Sequence, residues 1–102
     1  MDTKTLIADA KARFNHNSAK AYLKEKYEAK LFVAEQGGLW KADQQTICFL
    51  ANATFLEQMV LIDTFNNPVK VVRTELLWKL QNIYEEVMAE WHSEWQELEG
   101  KR

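Results

Sequence analysis

Apolar positions near the start of the chain recur every three or four residues: Leu6, Ile7, Ala10 and Phe14, then Ala19, Tyr22, Leu23 and Tyr27. That period predicts an N-terminal helical segment over residues 1–29. Asn15-His16-Asn17-Ser18 interrupts the pattern with side chains that compete for backbone hydrogen bonds, so two helices are expected, with Thr3 or Thr5 capping the first and Ser18 the second. After Lys30 the period shortens toward two, and strands are expected at about 31–36, 39–43, 46–52, 55–64 and 69–73. Gly37-Gly38, Gln44-Gln45, Asn52-Ala53-Thr54 and Asn66-Asn67-Pro68 punctuate them as turns. From Thr74 the helical period returns through Leu76, Leu77, Leu80, Ile83, Tyr84, Val87, Met88, Trp91, Trp95 and Leu98, giving a long amphipathic C-terminal helix over 74–99.

These elements define one domain, 1–102, mainly β with flanking helices: a small, strongly bent, five-stranded antiparallel barrel at 30–73. Gly37 or Gly38 supplies the positive φ of one hairpin turn, and Asn66-Asn67 tolerates the left-handed region at another. Several of the strands are apolar on both faces. Ile47, Phe49 and Ala51 lie opposite Cys48 and Leu50, and Leu56, Val60 and Ile62 lie opposite Met59 and Leu61. An isolated two-layer domain leaves one face wet, so a doubly apolar sheet of this size implies neighbouring subunits.

Charge refines the picture. Residues 1–30 carry seven Lys/Arg against four Asp/Glu, and residues 74–102 carry three against seven, so the chain is basic in front and acidic behind although its net charge is only −2. The balance denies it the global basic field of an autonomous duplex-DNA binder. The Glu residues near the end of the C-terminal helix oppose its macrodipole and call for basic surface, such as the Lys-rich front helices of the same or a neighbouring chain. The single cysteine, Cys48, excludes an intrachain disulfide and reads as a buried structural thiol in a reducing compartment. The first residues lack a signal-peptide layout, and no apolar run approaches the roughly 18 residues of a membrane span. A soluble cytoplasmic protein with no membrane partner is expected.

Candidate chemistry is sparse. His16 and His92 have no metal-ligating neighbour at helical offsets, no Gly-rich phosphate loop is present, and Ser18, Ser93 and Cys48 lack the setting of an activated nucleophile. Asp43, Glu57 and Asp63 read as solvated acids rather than acid-base pairs. No metal, cofactor or catalytic residue is assigned, and a non-enzymatic protein is expected. Binding has better candidates: Trp40, Gln44, Gln45, Phe65, Asn66 and Asn67 combine flat aromatics with amides, the pairing that stacks single-stranded bases and reads their edges, and Lys41, Lys70 and Arg73 supply charge for phosphates. The alternative is that Trp40 and Phe65 anchor a core or an interface and the amides form turns.

The run Lys20-Ala21-Tyr22-Leu23-Lys24-Glu25-Lys26-Tyr27, leading into Lys30-Leu31-Phe32-Val33-Ala34-Glu35-Gln36-Gly37-Gly38-Leu39-Trp40-Lys41-Ala42-Asp43, resembles a family of small Sm-like (LSm) marine-metagenome proteins of inferred cyanophage origin. The resemblance implies an Sm-like barrel assembled into a homo-oligomeric ring, with binding of RNA or single-stranded DNA suggested by fold alone. It places an acidic residue of the first Sm motif at Asp43, and Asn66 or Asn67 with Phe65 at the turn of the second, where the usual Arg-Gly is missing. It also implies subunit contacts through strands four and five, which include Met59, Leu61, Val69 and Val71, with Trp91 and Trp95 as further interface candidates. A rival expectation is a phage structural or assembly component whose helix from Trp78 to Trp95 docks a protein partner.

Overall fold

The computed structural model describes residues 3–100, with side-chain surroundings from residue 7 onward except at 9, 12 and 14. The faces expected for Leu6 and Phe14, and the caps expected at Thr3 and Thr5, lie outside the described side chains. The architecture is helical rather than mainly β. Helix α1 (Thr3–Lys30) leads into a hairpin of β1 (Phe32–Glu35) and β2 (Gly38–Lys41), then helix α2 (Gln44–Asn52), a second hairpin of β3 (Gln58–Ile62) and β4 (Pro68–Val72), and helix α3 (Arg73–Gly100). Helix makes up 64% of the chain, and the four strands form two separate two-stranded sheets. The expected five-stranded Sm-like barrel is therefore overturned.

The segment expected as the third strand, 46–52, is the decisive departure. Its β-branched and aromatic residues suit a strand, but Asp43 turns it into α2: the extended Asp43 backbone carries a carboxylate that accepts the Thr46 N–H at 2.8 Å, while its carbonyl accepts the Ile47 N–H at 3.0 Å. Helical spacing then directs Ile47 and Leu50 inward, with Leu50 fully buried, and leaves Cys48 and Phe49 exposed. Cys48 is thus not the buried thiol expected. Arg73, the first residue of α3, ties α2 down: its Nη1 donates to the Leu50 carbonyl at 2.9 Å, one of the carbonyls orphaned at the helix end, and its Nε to that of Leu56 at 2.7 Å.

Nor does α1 break at Asn15-His16-Asn17-Ser18. Each of those residues costs at most about 0.7 kcal/mol of helix propensity, and tertiary contact with α3 offsets it. The two long helices run antiparallel, with His16 beside Glu99 (3.3 Å), Lys26 on Glu94 (2.8 Å) and Lys30 near Glu90 (3.3 Å). The basic front and acidic back of the sequence meet along this seam. Tyr27, 2% exposed, stacks on Trp91 with ring centroids 6.0 Å apart. Leu31, Leu76, Leu80 and Val87 extend the core toward the hairpins, where Trp40 and Val71 join it, and Leu23 continues it along α1 on the other side of Tyr27. Because α3 ends near His16, the first turns of α1 run on past it, and the molecule measures 65 × 24 × 19 Å.

Both hairpins follow their turn chemistry. Gln36 (φ 50°) and Gly37 (φ 82°) form the two-residue connection between Glu35 and Gly38, and Asn66 (φ 64°) sits in the left-handed region of the β3–β4 turn.

Candidate interaction surface

Asp63 organises the ground around the second turn. Its carboxylate accepts the backbone N–H groups of Asn67 (2.9 Å), Leu39 (3.1 Å) and Phe65 (3.0 Å), and these donors, led by Asn67, hold its pKa below the ordinary carboxylate value. It is buried, not the solvated acid its sequence context suggested. Because Leu39 belongs to β2, Asp63 also clips one hairpin to the other, helped by the Thr64 N–H donating to the Leu39 carbonyl at 2.9 Å. The turn is thereby fixed, with Phe65 presented outward at 68% exposure and Asn66 and Asn67 exposed beside it.

The remaining candidates for nucleic-acid contact are dispersed. Trp40 is in the core, 3% exposed, with its indole Nε1 donating to the Glu35 carbonyl at 2.8 Å, and has no free face for stacking. Asp43 is the α2 cap, Gln44 donates to the Tyr84 hydroxyl at 2.7 Å, and Gln45 is exposed on the first turn of α2. Lys70 is exposed on β4 opposite Val60, Lys41 lies over the Phe32 ring, and Arg73 is buried on its two carbonyls. The shallow hollow beside Phe65 and Asn67 is bordered by Glu35 and Asp63 and by no Lys or Arg.

The interface candidates sort by strand face. Met59, Leu61, Val69 and Val71 point into the chain's own core, Val71 being 1% exposed. Trp91 is packed on Tyr27, while Trp95, 39% exposed, stacks on His92. The outward face belongs instead to the alternate residues, with Val60 60% and Ile62 63% exposed. Phe49, 54% exposed, and Ile62 border one groove of about 390 Å³ between α2 and β3. Phe55 (85%) and Trp78 (69%) are exposed elsewhere. The doubly apolar pattern of 56–62 signals this surface, but period-two alternation by itself does not say which face is inside.

A second polar centre lies on the helix seam. Glu94 accepts from Lys26 and from the Tyr27 hydroxyl, and both bonds, Lys26 first, hold its pKa low, while Glu94 in turn raises those of Lys26 and Tyr27. Every partner in this network is another side chain of the seam, and it joins α1 to α3. Among the described residues no three His, Cys, Asp or Glu side chains gather to hold a metal, and no helix is long and apolar enough to cross a membrane. Comparisons with protein-family models, with curated proteins and with solved structures found no match to this chain.

Proposed function

We propose that the chain is a non-enzymatic assembly protein that associates with copies of itself through the outward face of the β3–β4 hairpin. The observation that carries this reading is the pairing of Val60 and Ile62, both more than half exposed, on one face of a two-stranded sheet with Phe49 alongside. Contiguous apolar side chains on a small protein mark an interaction surface. Covering what remains exposed of each contributes on the order of 1 kcal/mol, so several such side chains from each of two subunits support stable association. The exposed Cys48 thiol suits the reducing cytoplasm, where it escapes oxidative cross-linking.

The test is a double substitution, Val60→Lys with Ile62→Lys. Both positions point away from the core, so circular dichroism should be unchanged while the mass in light scattering falls to the 12.0 kDa of one chain. A mass indifferent to the substitutions removes the reading.

One feature favours a second reading, binding of RNA or single-stranded DNA: the rigid presentation of Phe65 with Asn66 and Asn67. Phe65→Ala with Asn66→Ala would then abolish salt-dependent oligonucleotide binding and leave the mass alone. Failure of the unsubstituted protein to bind any oligonucleotide at micromolar concentration removes it.

A further inference from the structure

Hydrogen bonds at its two ends fix the phase of the second hairpin. Asp63 N–H donates to the Asn67 carbonyl (3.0 Å) and Arg73 N–H to the Glu57 carbonyl (2.8 Å), so residues 57, 59, 61 and 63 turn their backbone groups toward β4. Gln58, Val60 and Ile62 therefore turn theirs outward, along the free edge of β3. On β4 the outward positions are 68, 70 and 72.

The two edges are treated differently. On β4, Pro68 has no N–H to offer, Lys70 is charged, and the Gln36 side chain occupies Val72 completely: its Oε1 accepts the Val72 N–H at 2.7 Å and its Nε2 donates to the Val72 carbonyl at 3.2 Å. Proline, lysine and a covering side chain are the devices by which sheets avoid pairing with other chains. From Gln58 to Ile62 the β3 edge has none of them, although just past it the Thr64 N–H on the same side donates to the Leu39 carbonyl of β2. Its three outward N–H and three outward carbonyl groups have no partner among the described residues, and the side chains they accompany are neutral and exposed.

This edge is self-complementary. Antiparallel pairing about a two-fold axis through Val60 sets Val60 opposite its own copy and Gln58 opposite Ile62 of the other chain, and all three positions have their backbone groups facing the partner. Within 58–62 no charged side chains meet; just beyond it, at each end, Glu57 of one chain falls opposite Asp63 of the other, whose carboxylate already accepts three backbone N–H groups. Beside Ile62 the groove between β3 and α2 lies open next to Phe49. We propose that two copies of the chain join β3 to β3 in this register, merging two hairpins into one four-stranded antiparallel sheet. The proposal rests on the self-association proposed above; it pairs the β3 edges and sets Val60 beside its copy and Ile62 beside Gln58 of the other chain on the outer face of the enlarged sheet.

Disulfide trapping tests it, in a Cys48→Ser background that removes the native thiol. In the proposed register the two Val60 Cα atoms lie about 5.5 Å apart, within the range a disulfide bridges, whereas the two Ile62 Cα atoms are offset by four residues, roughly 14 Å along the strands. Mild oxidation of Val60→Cys should give a covalent dimer of twice the 12.0 kDa chain mass, with a yield at least about tenfold above that of Ile62→Cys. Light scattering of the reduced proteins is the companion measurement. An oligomer in which Val60→Cys fails to cross-link, or in which Ile62→Cys does so equally well, overturns the β3 register and leaves self-association standing. A monomer in light scattering overturns both.

Discussion

Substituting Asp43 separates its structural role from a role in binding. Its carboxylate accepts one backbone N–H at 2.8 Å at the start of a nine-residue helix and, among the described residues, makes no other side-chain hydrogen bond or ion pair. Losing an N-cap acceptor to alanine costs about 1 kcal/mol, within a range of roughly 0.5–2. A nine-residue helix has little stability of its own, so the loss passes to the fold through Leu50 and Ile47, which α2 presents to the core. In a domain of this size about 1 kcal/mol lowers the melting temperature by roughly 4–8 °C. Asp43→Asn keeps the acceptor and gives up only the charge at the helix N-terminus, a matter of tenths of a kcal/mol. The assay is thermal unfolding followed by circular dichroism at one fixed protein concentration, since self-association makes the midpoint concentration-dependent. Asp43→Ala should melt several degrees below the parent and Asp43→Asn close to it. An alanine variant as stable as the parent, or an asparagine variant no better than alanine, would refute the cap and with it the helical reading of 44–52.

Three further outcomes are expected. Leu80→Ala, at a fully buried position, should destabilise by about 2–5 kcal/mol in urea unfolding with an unchanged m-value. Gln36→Ala should cost about 1–2 kcal/mol through two lost hydrogen bonds and, by opening the β4 edge, increase aggregation measured by turbidity. Glu94, with its pKa held low, contributes stability that is present above the ordinary glutamate pKa and is lost as pH falls through its folded value. Tyr27 and Lys26, with theirs raised, contribute stability that is present below their ordinary values near pH 10 and is lost as pH rises through the folded ones. Glu94→Gln should flatten the acid limb of the stability-pH profile.

The long C-terminal helix was legible because its apolar residues from Leu76 to Leu98 share one period, and the two hairpin turns because glycine and asparagine, as at Gly37 and Asn66, are the residue types that take positive φ most readily. The charge asymmetry also carried through, as the Lys26–Glu94 and Lys30–Glu90 contacts show. The barrel did not. Thr46-Ile47-Cys48-Phe49-Leu50 has strand propensity residue by residue, yet positions 43, 46, 47 and 50 also fit a capped helix, and burial of Leu50 decided between them. At the candidate site, one-dimensional pattern grouped Trp40 with Phe65 as aromatics near turns, whereas the fold sends one to the core and the other to solvent. Long-range partners such as Gln36 for Val72 and Asp63 for Leu39, 36 and 24 residues apart, leave no trace in local sequence.

Self-association through the β3–β4 hairpin is tested most directly by sedimentation velocity on the unsubstituted protein over a range of concentrations. A discrete species at an integral multiple of 12.0 kDa, insensitive to salt as apolar and backbone pairing require, is the expected result. A single 12.0 kDa species across the range would contradict it.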